Sequence, residues 1–328
     1  MVRLAIDMMG SDEGPMPLAK GLKAFLKEND DVEVVAFGAG KDLHPLLDGV
    51  RGASVVETSQ VVPMEISPLG FLRLKDSSMY QAIKASAGVG FSGVVTAGST
   101  GGFVTGATLL IKNAPGVLRA GLAAPFVTAI RGKKTVILDI GASNQNTAEE
   151  LVGFAKMGSL YAKNVLGVQT PRVYILSNGV EEGKGLAESV KAYRILKESS
   201  FPGFAGNCEA RDALDGNKDV IVTPGYPGNI LLKSIEGTAG MLGVLLKKAF
   251  TKNLFTKMGY LLAKPGLKGM KQTLDYRSTG GAILLGVNKV AVKAHGNSND
   301  YAFYNALKVA YSMAVSSIVG KITEGMAK

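Results

Sequence analysis

Cysteine, histidine and long apolar runs are what this 328-residue sequence has least of, and each shortage excludes something. A single cysteine, Cys208, rules out an internal disulfide framework and paired thiols for zinc, so a reducing cytoplasm is the expected compartment. Cys208 itself reads as a small buried side chain rather than a nucleophile. The two histidines, His44 and His295, leave no metal-ligand pattern, and neither metal nor cofactor is expected. No uncharged apolar run reaches about 18 residues and the chain opens directly on the strand-like MVRLAID, so neither a membrane span nor a signal peptide is expected. Acidic residues are missing from one place in particular. Between Gly237 and Leu274 there are seven lysines and no Asp or Glu, so of the net charge of +10 only +3 belongs to the rest of the chain.

Hydrophobic residues make up 46% of the chain and glycine contributes 42 positions, which fits a compact enzyme with many tight turns. Strand-like segments at Val2–Asp7, Val32–Phe37, Ala53–Val56, Lys134–Ile140, Arg172–Leu176, Asp219–Thr223 and Lys289–Ala294 mostly lead through polar, glycine-rich turns into helical stretches. That repetition predicts an α/β fold with a doubly wound, mainly parallel sheet and helices on both faces. Ligands of such sheets bind beyond the carboxyl ends of the strands, so the turns are expected to converge on one crevice. With no Pro/Ser-rich linker and no internal repeat, residues 1–328 read as one domain.

The chain looks arranged around Gly93–Thr108, GVVTAGSTGGFVTGAT, a buried strand feeding a helix through Gly98-Ser99-Thr100-Gly101-Gly102. The unpaired N–H groups and dipole of such a helix start favour an anion. Ala97-Gly98-Ser99-Thr100-Gly101 also differs from the hydrolase elbow G-x-S-x-G only at its first residue, and His295 follows later in the chain. A phosphate cradle and a serine acyl hydrolase using Ser99 and His295 therefore compete. Gly38-Ala39-Gly40-Lys41 lacks the remaining positions of a P-loop or a dinucleotide fingerprint.

Neutral donors in the other turns favour the cradle: Ser77, Ser78, Ser143, Asn144, Asn229, Asn297 and Ser298. Lys75, Lys184, Lys233 and Lys293 add cations near strand or helix ends. The lysine-rich segment keeps apolar stripes at helical spacing, and reads as a protruding basic hairpin over 237–274 with Leu254 and Phe255 at its tip. Lys247, Lys248, Lys252 and Lys257 would face an anionic membrane surface or an acidic protein; no nucleic acid is expected. A lysine face solvated over an ordinary packing stripe is the plain alternative.

The motifs AIDMMGSD, KDSSM, VTAGSTGG, EEGKG, GNCEARD, GNILLKSIEG, LDYRSTGGAILLGVN and VKAHGNSN run nearly end to end, and by them the chain resembles the bacterial phosphate acyltransferase family. The resemblance implies transfer of a fatty acyl group from acyl carrier protein to inorganic phosphate, giving acyl-phosphate for phospholipid synthesis. It implies a fold akin to isopropylmalate dehydrogenases and phosphotransacetylases, a homodimer, and a cytoplasmic protein peripherally bound to membrane. A membrane acyltransferase that consumes acyl-phosphate is a further expected partner. On this reading His295, Lys184 and Asn297 serve catalysis. Asp7, Gly10, Lys75, Ser77, Ser78, Gly98, Ser99, Thr100, Gly101, Asn144 and Asn229 serve phosphate or substrate. The chain departs from the family's usual Gly-Ala-Asn-Val-Asp-Cys-Lys at Gly141–Thr147, and has Pro224-Gly225-Tyr226-Pro227 where an Asp-Gly-Phe is usual. A catalytically silent, membrane-bound scaffold would tolerate both departures.

Overall fold

The computed structural model describes residues 1–274 and 279–327, without the side chains of residues 268–274. Residues 275–278 of the LDYRSTGG motif, and the side chains of Lys268 and Lys271, lie outside the described residues. The described strands are β1 Val2–Asp7, β2 Val32–Gly38, β3 Ala53–Glu57, β4 Gly93–Thr96, β5 Gly121–Val127 and β6 Lys134–Leu138, then β7 Val173–Ser177, β8 Phe204–Glu209, β9 Val220–Val222, β10 Ala282–Leu285 and β11 Val290–Lys293. The helices are α1 Pro15–Glu28, α2 Gly40–Leu47, α3 Pro68–Arg73, α4 Ser78–Ser86, α5 Thr100–Gly106 and α6 Ala148–Asn164, then α7 Ala187–Glu198, α8 Gly225–Thr251, α9 Leu254–Leu274, α10 Asp300–Val315 and α11 Ile318–Met326.

One sheet in the order β3-β2-β1-β4-β11-β10-β5-β6-β9-β7-β8 carries the fold. Alternation along β1 shows how it is held: Leu4 and Ile6 enter the core on one face with Phe25 and Phe303, while Ala5 enters the other with Phe71 and Phe103. Both faces are covered, as a mainly parallel sheet requires.

Three successive pairings are antiparallel: β11 with β10, β10 with β5, and β5 with β6. An odd number of reversals turns the second parallel half, β6-β9-β7-β8, against the first, β3-β2-β1-β4-β11. The carboxyl ends of β1, β4 and β11 therefore lie along one edge of the sheet, and those of β6, β9 and β7 along the opposite edge. This corrects the expectation that all the strand-end turns converge on one crevice.

Glu181–Gly185 is a loop in which Gly185 has φ of +113°, and α7 starts at Ala187. At the end of the chain α10 and α11 are separated at Ser317, whose left-handed φ of 54° cannot continue a helix.

The 27-residue α8 starts with Gly228 pressed on Asp139, where a side chain would meet the Asp139 carbonyl oxygen at 1.8 Å. It then crosses one sheet face towards His295 and continues out of the body, so that from Gly237 to the helix end it is mostly exposed. By length and composition α8 could cross a membrane, but Gly225, Gly228 and Leu231 are buried against the body. It turns back into α9 at Asn253, whose side chain accepts the Thr256 N–H at 2.9 Å while Thr256 Oγ1 accepts the Asn253 N–H at 3.0 Å. Edge-to-face contact of Phe250 and Tyr260 at 5.5 Å holds the two helices together.

Candidate functional site

A cavity of about 600 Å³ lies between α8 and the sheet face formed by β5, β10 and β11. At the carboxyl edge of β4 and β11 its wall is polar: Thr100, Lys293, His295, Lys233, Glu236 and Asp12. Towards β5 it becomes apolar, with Leu122, Ala124 and Phe126 on the strand facing Leu232 and Ile235 of α8. Gly141 and Asn229 close the far end, at the opposite edge of the sheet. This is a concave, mostly apolar space with a few convergent polar groups, the usual form of a small-molecule site.

The polar end is built by three loops that bind one another. The Asp12 N–H and the Ser11 hydroxyl both donate to the Gly296 carbonyl, at 2.9 and 3.1 Å. Behind them Asp7, fully buried at the end of β1, accepts the Thr96 hydroxyl at 2.6 Å, and Thr96 Oγ1 in turn accepts the Gly98 N–H at 2.9 Å. A side chain on Gly10 would meet Gly98 Cα at 2.6 Å, so glycine is what lets the two turns touch. Burial pushes the Asp7 carboxyl up; hydrogen bonds from Thr96 and the Met9 N–H, and the nearby Ser78 hydroxyl, act in the opposite direction. Asp7 and Gly10 are thus supports of the Gly98 turn and do not line the cavity.

Ser99 is likewise occupied. Its hydroxyl donates to the Met64 carbonyl at 2.8 Å and accepts the Gly102 N–H at 3.3 Å as the N-cap of α5. The side chain is 2% exposed and forms no Ser–His pair, so in this structure it neither presents a nucleophile nor donates into the cavity. Thr100 and Gly101, the next two residues, do line it, and their N–H groups lie outside the helix's own hydrogen bonds.

Lys293 is the cation that faces the cavity from the sheet itself. Its ammonium donates to the Ala294 carbonyl at 2.9 Å. Burial pulls its pKa down to about 8, Lys233 acts in the same direction, and Asp12 opposes. His295 Nε2 stands 3.6 Å from Glu236 Oε1, and Lys233 Nζ stands 3.4 Å from Glu236 Oε2. The His295 contact, followed by Lys233, holds the Glu236 carboxyl below its ordinary range, against the cost of partial burial.

Of the residues expected from sequence, Gly98, Thr100, Gly101, Asn229, Lys233, Lys293, His295 and Ser298 meet in this cavity. Asn297 sits exposed in the His295 loop without lining it. Ser77 caps α4, accepting the Tyr80 N–H and donating to the Leu74 carbonyl; Ser78 is buried beside Asp7. Lys75 is exposed outside the cavity. Lys184 and Asn144 follow β7 and β6, whose carboxyl ends lie at the opposite sheet edge, and neither joins His295 in the lining. The direction reversal across β10 and β5 is the reason.

Asp139 lies in the strand-like segment Lys134–Ile140 and is not among the site residues expected from sequence. It is fully buried after β6 and accepts from the N–H groups of Leu122, Gly141, Ala142 and Ser143 and from the Ser143 hydroxyl. Burial raises its pKa against those bonds. Ser143 and Asn146, within Gly141–Thr147, are linked at 2.9 Å, and the same Asn146 oxygen accepts the Gly225 N–H at 3.2 Å. Gly141–Thr147 and Pro224–Pro227 are therefore hydrogen-bonded to each other and fix the start of α8. Asp12 and Glu236 lie inside the AIDMMGSD and GNILLKSIEG motifs, but nothing local marks them or Asp139 as site residues. Lys233 and Lys293 were visible as cations, but only the tertiary fold selects them over Lys75 and Lys184.

Cys208 is buried at 2% exposure and its thiol is pushed up to about 12, as expected of an inert packing residue. Among the described residues no group of three or more His, Cys, Asp or Glu could hold a metal ion.

Comparison with known proteins gives the family and agrees with the fold. Residues 2–321 match the family described as fatty acid synthesis protein. A curated phosphate acyltransferase of Exiguobacterium sp. is 39% identical over 99% of both chains, and one from Lactococcus lactis subsp. cremoris is 38% identical over 98% of both. In fold the chain is similar to a phosphotransacetylase from Streptococcus pyogenes, with a TM-score of 0.62 at 17% identity over 96% of this chain and 94% of that one. A branched-chain phosphotransacylase from Enterococcus faecalis gives a TM-score of 0.57 at 15% identity over 96% and 99%.

Proposed function

The chain belongs to the phosphate acyltransferase family, and from that premise we propose that it moves a fatty acyl group from the thioester of acyl carrier protein to inorganic phosphate by direct attack of bound phosphate. The observation that carries the reading is the two-sided cavity: a polar end that holds Lys293 and Lys233, with Asp12 and Glu236 beside them, continuous with an apolar floor on β5 and β10. An acyl thioester and a phosphate ion are the pair of reactants such a space suits.

Hydrogen phosphate would sit between Lys293, Lys233 and the N–H groups of Thr100 and Gly101. One of its oxygens attacks the thioester carbonyl carbon, a C–O bond forms, and the negative charge passes to the carbonyl oxygen. His295, steadied by Glu236, stabilises that oxygen. Collapse breaks the C–S bond; the departing thiolate takes up the proton that hydrogen phosphate loses, so the step balances without an added acid. Holding both reactants in line is worth up to about 7–11 kcal/mol, which spares the protein a covalent intermediate.

The same proposal gives the protruding α8–α9 hairpin a membrane role. Leu254 and Phe255 at its tip are 72% and 83% exposed, and Lys247, Lys248, Lys252 and Lys257 are exposed beside them. Apolar tip and basic flank together suit peripheral attachment to anionic lipid on the cytoplasmic side, near a membrane acyltransferase that consumes the product. The basic surface would also speed encounter with the acidic carrier protein. A homodimer is the assembly we propose for it.

The test is the purified protein with acyl-acyl carrier protein and radiolabelled phosphate. Labelled acyl-phosphate supports the proposal; fatty acid released without phosphate supports a hydrolase; no product, with vesicle binding retained, supports a scaffold.

A further inference from the structure

The floor of the cavity changes residue size in register with Lys293. Lys293 pairs with Ala282 across β11 and β10. Ile283 pairs with Ala123, which sets Ala282 beside Ala124 across β10 and β5. Lys293, Ala282 and Ala124 therefore form one row on one sheet face, and all three line the cavity. Neighbouring strands are about 4.8 Å apart, so the row runs about 10 Å from the cation. In the next row on that face the residues are Leu284 and Leu122, with Ala291 on β11. Leu232 and Ile235, three residues apart on one side of α8, roof the row. Two alanines where the adjacent row carries leucines are what keeps the space open.

We propose that Ala282 and Ala124 are the specificity-determining residues for the acyl chain, which lies over them and under Leu232 and Ile235 with its carbonyl at Lys293 and His295. The inference rests on the acyl-transfer reading and adds where the chain binds and what sets its length. Continuity of this row with the anion end selects a fatty acyl chain as occupant: its polar head is fixed at Lys293, and among the described residues no charged side chain lines the row beyond that residue. Each methylene that leaves water for such a floor strengthens binding by roughly fourfold.

Two readouts over a ladder of chain lengths test this. In the first, kcat/KM for acyl-phosphate formation is measured with acyl carrier protein carrying short to long saturated chains. In the second, free fatty acids of the same lengths displace a fluorescent fatty acid from the protein. The wild-type chain is expected to gain about fourfold per methylene until the row is covered. Ala282→Leu and Ala124→Leu, checked for folding by thermal melting, are expected to flatten the ladder, lowering the long-to-short ratio at least tenfold in both readouts. Ala124→Gly, which adds space, is expected to keep the slope. If acyl-phosphate forms but both leucine variants shift the ratio by less than threefold, the chain lies elsewhere and the inference falls while the function stands. If no acyl-phosphate forms but binding still follows the ladder and the variants flatten it, the groove stands and the function falls.

Discussion

Asp7 and Thr96 are joined by a 2.6 Å hydrogen bond that ties the end of β1 to the turn opening the anion end of the cavity. Because Thr96 Oγ1 also accepts the Gly98 N–H, one hydroxyl serves a buried carboxyl and a buried backbone donor at once. Thr96→Val keeps the shape, leaves the Gly98 N–H without its acceptor and takes one of the donors from Asp7, which keeps the Met9 N–H, at a cost of about 1–3 kcal/mol for the unpaired buried donor. Thermal melting should show a fall of several degrees, with weaker phosphate binding; Thr96→Ser should restore most of both. A melt unchanged in Thr96→Val would remove the supporting role.

Ser99→Ala separates a cap from a nucleophile. Loss of the Gly102 N–H acceptor should lower stability by about 1 kcal/mol, read by denaturant unfolding. Acyl transfer should persist, reduced by less than a hundredfold through a loosened turn. Abolished turnover in a variant that melts normally would return the hydrolase reading.

Lys293 gives the reaction a pH dependence. Its pKa, about 8 in the folded chain against an ordinary 10.5, means that it loses its proton as pH rises through about 8. Phosphate affinity should therefore decline above that pH, read as a rising KM for phosphate, and Lys293→Met should weaken phosphate binding at every pH. The sign for stability is opposite. Between about 8 and 10.5 the unfolded chain binds more protons, so this group's contribution to stability rises with pH over that window, and its burial cost is fully present below about 8. Saturating phosphate should move the KM-independent transition upward by stabilising the ammonium.

The hairpin tip predicts a third kind of result. Leu254→Glu with Phe255→Glu should abolish sedimentation with anionic vesicles while leaving the melting temperature within about 1 °C, since both side chains are exposed. Vesicle binding that is unchanged would remove the membrane role.

Most of the parallel framework could be read from local pattern, because strands such as β1 and β6 are apolar runs ended by polar turns. Three strands could not. β5, GLAAPFV, carries Pro125 and paired alanines that weaken any strand signal, and β10 is four residues long behind Gly280 and Gly281, both with positive φ. β8, FAGNCE, has little apolar content. Missing β5 and β10 hid the reversal of the sheet, and with it the separation of Lys184 and Asn144 from His295. The Gly98–Gly101 turn and His295 were legible because glycine turns at strand ends are local features. Lys293, Glu236 and the alanine row depend on register and on the path of α8, which no single stretch encodes.

Direct attack by phosphate is tested most sharply by leaving phosphate out. With acyl-acyl carrier protein and labelled free carrier protein but no phosphate, direct attack predicts no exchange of the acyl group between carriers and no acyl adduct in the intact mass of the enzyme. Adding phosphate should then produce acyl-phosphate in proportion to the carrier protein released. Exchange without phosphate, or an adduct on Ser99, would contradict it.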